Sequence, residues 1–92
     1  MSGVRILASV KTVRIYTTRT CPYCVRAKRL LERKKVLYEE IDVSMDDEAR
    51  LKLMETTGLR TVPQIFIGDR HVGGSDDLHA LEARGELDPL LQ

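Results

Sequence analysis

Two short stretches hold the residues able to do covalent chemistry. Cys21 and Cys24 stand three apart in Thr20-Cys21-Pro22-Tyr23-Cys24, and Thr61-Val62-Pro63 follows about forty residues later. Two thiols at this spacing, opening a helical segment straight after a strand, form the pattern of a thiol–disulfide redox site. Cys21 precedes the helix as its N-cap, so its sulfur is expected beside the free N–H groups of the first turn. Those donors and the helix dipole favour a thiolate, and such positions lower a cysteine pKa from about 8.5 to roughly 3.5–7.5. Cys24, one turn inside, is expected to be more buried and closer to normal.

Magnitudes indicate what such a shift would be for. A fall in pKa from ~8.5 to ~5 raises the thiolate fraction at neutral pH roughly thirtyfold. The lower intrinsic nucleophilicity, with a Brønsted slope of about 0.4–0.5, takes back a similar factor. As an attacking group Cys21 roughly breaks even, whereas as a leaving group it gains outright. The pattern suits a site that accepts a sulfur and hands it on.

The elements that must position these residues follow from periodicity. Val13 to Thr17 is apolar and β-branched, as in a buried strand, and Thr18-Arg19-Thr20 is a polar loop. Pro22 suits the first helical position, and Cys24, Ala27, Leu30 and Leu31 recur at helical spacing up to about Lys35. The cations Arg26, Lys28, Arg29, Arg33 and Lys34 fall on the other faces, which reads as a solvated surface. Val36 to Val43 reads as a second strand near a sheet edge. Ser44 is the expected cap of a second helix containing Leu51, Leu53 and Met54, with Gly58 as its stop. Val62 to Ile67 reads as a third strand, Gly68-Asp69 as a turn and Arg70-His71-Val72 as a fourth strand. Gly73-Gly74 breaks it, and Ser75 caps a last helix carrying Leu78, Leu81 and Leu87, with Gly85 near its end.

The resulting order, β-α-β-α-β-β-α, gives an α/β fold: a four-stranded mixed sheet flanked by three helices, with helices on both faces. Ninety-two residues suffice for one such domain, expected over residues 12–92 after an N-terminal extension of residues 1–11. A net charge of +1 gives no global attraction for nucleic acid or an anionic membrane. Two cysteines so close together cannot staple distant parts of a secreted domain. No run approaches the ~20 apolar residues of a membrane span, and the apolar residues of 4–10 lack a signal peptide's full core and cleavage site. A monomer in the reducing cytoplasm is expected.

Cys-Pro-Tyr-Cys, Thr-Val-Pro and Gly-Gly-Ser-Asp-Asp, in that order and spacing, closely resemble the dithiol glutaredoxins, over essentially Thr12 to Leu91. The resemblance implies the minimal thioredoxin-like fold and a glutathione-dependent thiol–disulfide oxidoreductase. Its partners would be glutathione, as co-substrate rather than tightly bound cofactor, and disulfide-containing or glutathionylated proteins. Cys21 would take up the glutathionyl sulfur and Cys24 would resolve protein disulfides. The bond before Pro63 is expected to be cis, with the backbone of Thr61 and Val62 open to the ligand's cysteinyl unit. Gly74 would allow close approach, and the helix start with Asp76 and Asp77 would meet the γ-glutamyl group. Arg60 and Arg50 match family positions for the glycyl carboxylate, and Tyr23 would shield the mixed disulfide. Thr18 departs from the pattern, because many family members carry lysine there. Arg19 could replace it, or Arg60 and Arg50 could act without help; adjacent extended residues point to opposite sides, which favours Arg60.

Plainer readings stand beside these. Pro63 could simply start a strand, Tyr23 could be an exposed turn aromatic, Ser75-Asp76-Asp77 a helix cap, and Arg50 a solvated charge. No metal is expected, since the spacing of His71 and His79 does not match a Cys2His2 zinc site. A thioredoxin-type reductase is a rival, although the chain has no tryptophan where that family has one beside its cysteines. An iron–sulfur cluster-carrying binding module is another. Such relatives usually have a small residue at the position of Pro22, whose ring stiffens the helix start.

Overall fold

The computed structural model describes residues 11–92. The expected N-terminal extension, apart from Lys11, therefore lies outside the described residues. Four strands and four helices follow in the order β1 (Val13–Thr17), α1 (Pro22–Arg33), β2 (Glu39–Asp42), α2 (Asp47–Thr57), β3 (Gln64–Ile67), β4 (Arg70–Gly73), α3 (Ser75–Ala83) and α4 (Leu87–Leu91). They build one four-stranded sheet in the order β2-β1-β3-β4. β1 and β2 run parallel, while β1–β3 and β3–β4 are antiparallel. The expected α/β architecture is present.

Alternation along β1 and β3 assigns the two faces. Val13, Ile15, Ile65 and Ile67 turn to one side and join Ala27, Leu30 and Leu31 of α1, Leu78 and Leu81 of α3, and Leu87 and Leu91 of α4 in a single core. The other side presents Tyr16 and Phe66, packed edge to face at 5.7 Å between ring centroids, with the Arg14 guanidinium 5.1 Å from the Phe66 ring. Ala49, Lys52, Leu53 and Thr56 of α2 line a hollow over this face together with Arg14, Tyr16 and Phe66. Helices thus cover both faces, as the pattern requires.

Five details differ from the sequence expectation, each for a local reason. The last long helix, α3, is capped by Gly74, whose N–H bonds the Asp77 carboxylate, so that Ser75 becomes the first helical residue. The second strand begins at Glu39, not Val36. Lys35 takes a left-handed conformation, φ 59°, so the Val36 N–H bonds back to the Leu31 carbonyl at 2.9 Å and Val36 drops into the core. The second helix is capped by Asp46, whose carboxylate accepts the Ala49 N–H at 3.0 Å. Ser44 instead accepts the Arg19 N–H at 2.7 Å, tying this turn to the loop before Cys21. The third strand starts at Gln64, leaving Thr61 to Pro63 outside the ladder. Finally, Gly85 (φ 72°) reverses the chain after α3, so Leu87 enters the core from a separate short helix.

The cations of α1 are not all solvated either. Lys28 pairs with Glu40 at 3.0 Å. Lys34 bonds Glu82 at 2.9 Å and Asp88 at 2.7 Å, fastening the end of α1 to α3 and α4.

Candidate active site

The loop from β1 delivers Cys21 to the start of α1 as its N-cap, in an extended conformation (φ −131°, ψ 101°). Pro22 follows as the first helical residue, where its lack of an N–H costs no hydrogen bond. The Cys21 sulfur accepts the Cys24 N–H at 3.1 Å and faces the Val62 carbonyl oxygen at 3.7 Å. Cys21 is 9% exposed and Cys24 2%, so the first thiol borders solvent and the second sits behind it. Both are free thiols.

The two sulfurs differ in proton affinity for a visible reason. Burial, then the hydrogen bond and charge of Cys21, push the Cys24 thiol up to about 12, against opposition from a backbone hydrogen bond at Thr18 and the charge of Lys28. Cys24 is thus held as a thiol near neutral pH, further from the ordinary range than the sequence suggested. Burial is the feature that helix position alone understated.

Pro63 follows a cis peptide bond. Beside it a hollow of about 260 Å³ is lined by Tyr23, Leu59, Thr61, Val62, Pro63, Gly74, Ser75, Asp76 and Asp77. A second hollow, about 270 Å³, holds Arg50 and Arg60 with Asp47, Leu53, Met54 and Gln64. Leu59, Thr61 and Val62 wall both. Tyr23, Thr61, Val62, Pro63, Gly74, Asp76 and Asp77 thus line the first hollow and Arg50 and Arg60 the second, with the Cys21 sulfur against Val62; Thr18 and Arg19 line neither. Leu59 and the buried Gln64 were not singled out. The signal for Gln64 was an amide inside an otherwise apolar run, Val62 to Ile67.

At the helix start the work of the two aspartates divides. Both are exposed, but Asp77 accepts the Gly74 N–H at 2.9 Å, which leaves Asp76 facing outward beside it. A Cβ at Gly73 (φ 121°) would come within 2.3 Å of the Asp77 carboxylate, so this turn requires glycine twice over. Arg19 is tied elsewhere. Its N–H is held by Ser44, and its charge helps to lower the Asp42 pKa, a shift due first to hydrogen bonds from the hydroxyl and N–H of Ser44. The histidines are apart from the thiols in bonding: His71 contacts Gln64 and Phe66, and His79 bonds the Ser75 carbonyl at 2.8 Å.

Comparison with known proteins agrees with this geometry. The glutaredoxin family model matches residues 13–72. A glutaredoxin of Pseudomonas aeruginosa is 58% identical over 77 residues, covering 84% of this chain and 92% of its own length. The solution structure of glutaredoxin from Brucella melitensis superposes with a TM-score of 0.80 at 55% identity, over 91% of this chain and 90% of that one. A buckwheat glutaredoxin–glutathione complex gives 0.83 at 32% identity, over 92% and 80%. A dithiol at the start of α1, a cis-proline loop across from it and a relative more than half identical along most of the chain lead to one assignment: the chain belongs to the glutaredoxin family, whose members are thiol–disulfide oxidoreductases.

Proposed function

We propose that the chain reduces glutathione mixed disulfides and protein disulfides with glutathione as co-substrate. The observation that carries this reading is the Cys21 sulfur, bordering solvent at a helix start and opposite the Val62 carbonyl. The buckwheat relative, solved with glutathione, supports the choice of co-substrate.

In the monothiol reaction the Cys21 thiolate attacks the glutathionyl sulfur of a mixed disulfide. A Cys21–glutathione disulfide forms, the old S–S bond breaks, and the substrate thiolate leaves and takes a proton. A second glutathione thiolate then attacks the glutathionyl sulfur, releasing Cys21 and glutathione disulfide. With a protein disulfide, Cys21 forms a mixed disulfide with the protein and Cys24 attacks the Cys21 sulfur. The protein's thiol departs, leaving a Cys21–Cys24 disulfide for two glutathiones to reduce. The charge and hydrogen bond of Cys21 are among the causes that hold Cys24 protonated. Once Cys21 is in a disulfide its charge is gone, so the resolving thiol is eased toward ionisation only when needed.

The ligand would lie along the open backbone of Thr61 and Val62, pairing as an added strand does. Its γ-glutamyl end would meet Gly74 and the N–H groups at Ser75, with Asp76 for the amine and Asp77 bracing the turn. Its glycyl carboxylate would lie toward Arg60, with Arg50 behind, and Tyr23 would flank the sulfur. The shared hollow of Arg50 and Arg60 supports this over a role for Arg19. Residues 12–92 form the catalytic domain in this reading, acting as a cytoplasmic monomer.

The test is a pair of variants. Cys21→Ser is expected to abolish both activities. Cys24→Ser is expected to keep reduction of glutathione mixed disulfides and lose most dithiol-dependent protein reduction. Equal loss of both activities in Cys24→Ser would overturn the assignment.

A further inference from the structure

Thr61 and Val62 precede the ladder, so something other than sheet pairing must hold them at a fixed height above the cysteines. Gln64 supplies that hold. Its side chain is 1% exposed, and its Nε2 donates to the carbonyls of Leu59 and Thr61, each at 3.0 Å. Two carbonyls on one side fix which end of the amide is nitrogen. The oxygen end therefore meets His71, whose Nε2–H donates to Oε1 at 3.1 Å and whose ring packs on Phe66 at 4.9 Å. From β4 through Gln64 to the loop, a chain of hydrogen bonds reaches both sides of Arg60. Leu59 has a further tether, since its N–H bonds the Thr57 hydroxyl at 3.1 Å.

We propose that Gln64 is a positioning residue for the substrate. Although Gln64 contributes to the wall of the second hollow, it acts through the loop: its buried amide, braced by His71, sets the segment between the two hollows and so determines how tightly the glutathionyl unit is held. This rests on the reading that the loop receives that unit. An amide that loses its brace, or a methylene chain in its place, leaves the Leu59 and Thr61 carbonyls unpaired, and the loop would move to satisfy them with water. Cys24 lies within α1 and Cys21 caps it, so the helix holds both, with the 3.7 Å contact of the Cys21 sulfur to the Val62 carbonyl as the link to the loop.

The experiment combines kinetics with amide exchange. Gln64→Met keeps the length and bulk and removes the hydrogen bonds. It is expected to raise the KM for a glutathionylated peptide about tenfold with kcat within about twofold, the pattern of lost uniform binding. Cys21 alkylation by iodoacetamide, a small reagent that needs no peptide site, should change less than about twofold, since one 3.7 Å contact links the sulfur to the loop. His71→Phe preserves the ring packing on Phe66 and removes the brace, for a KM rise of about two- to threefold. The double variant should match Gln64→Met alone, because both act through one amide. Unchanged KM in either variant, or full additivity, overturns the proposal. Should Gln64→Met not fold, the KM of His71→Phe decides. Exchange of the Thr61 and Val62 amides separates this inference from the function itself. Faster exchange in the variants supports the loop role even if the wild-type chain fails on the glutathionylated peptide, and unchanged exchange overturns it.

Discussion

In the proposed reading a single residue, Arg60, holds the anionic end of the ligand. Arg60 lies between Leu59 and Thr61 on the loop facing Cys21, and shares a hollow with Arg50. Arg19, the nearest cation in sequence to the missing family lysine, has its backbone N–H held by Ser44 and lines neither hollow. Arg60→Ala is therefore expected to raise KM for a glutathione mixed disulfide about tenfold with kcat nearly constant, and Arg19→Ala to change KM less than about twofold. Steady-state kinetics on both variants checks this; a larger effect from Arg19→Ala reverses the assignment. Cys24 gives a second expectation at this scale. Held up to about 12 chiefly by burial, it should resist alkylation at neutral pH while Cys21 is modified. Mass spectrometry of the partly alkylated chain would locate the modified residue.

At the level of the element, the two ends of the loop after β2 have separate tasks. Asp46 caps α2, whereas Ser44 holds the Arg19 N–H. Asp46→Ala should cost about 1 kcal/mol of stability, the usual loss for a missing N-cap. Ser44→Ala should leave α2 intact and instead speed amide exchange at Arg19, next to the redox loop. Denaturant titration and exchange distinguish the two. The same region shows where sequence reading ran out. Ser44 and Asp46 are both good caps by type, and only the approach of the 18–20 loop decides between them. Periodicity sufficed for β1 and α1, because their buried positions alternate or recur without interruption, and it placed the β3–β4 hairpin while starting β3 two residues early. It failed for Val36 and Leu87. These are buried by left-handed turns at Lys35 and Gly85, which carry apolar residues into the core from outside the preceding helix. The cysteines and the glycine turn were legible from type and spacing, and the cis bond before Pro63 only through the family resemblance. Gln64 was not, since its importance lies in three hydrogen bonds that no local pattern encodes.

For the whole molecule, the thiol that serves the chemistry also imposes a pH limit on the fold. Below the ordinary thiol range, Cys24 is protonated whether the chain is folded or not. Above it, the unfolded chain releases the proton while the folded chain keeps it up to about 12, so stability is lost progressively across that interval. Tyr38, raised to about 12 by burial and by its bond to Glu32, acts in the same direction from about 10. Thermal melts of wild type and Cys24→Ser between pH 8 and 11 (about the ordinary thiol and phenol ranges) should diverge, the serine variant losing less. The sheet carries a consequence for crowded solutions. β2 and β4 form its two margins, and β2 reads Glu39-Glu40-Ile41-Asp42 where β4 opens with Arg70-His71. Two copies meeting along their β2 margins would set carboxylates against carboxylates, and that repulsion protects an open strand from recruiting its own kind into aggregates.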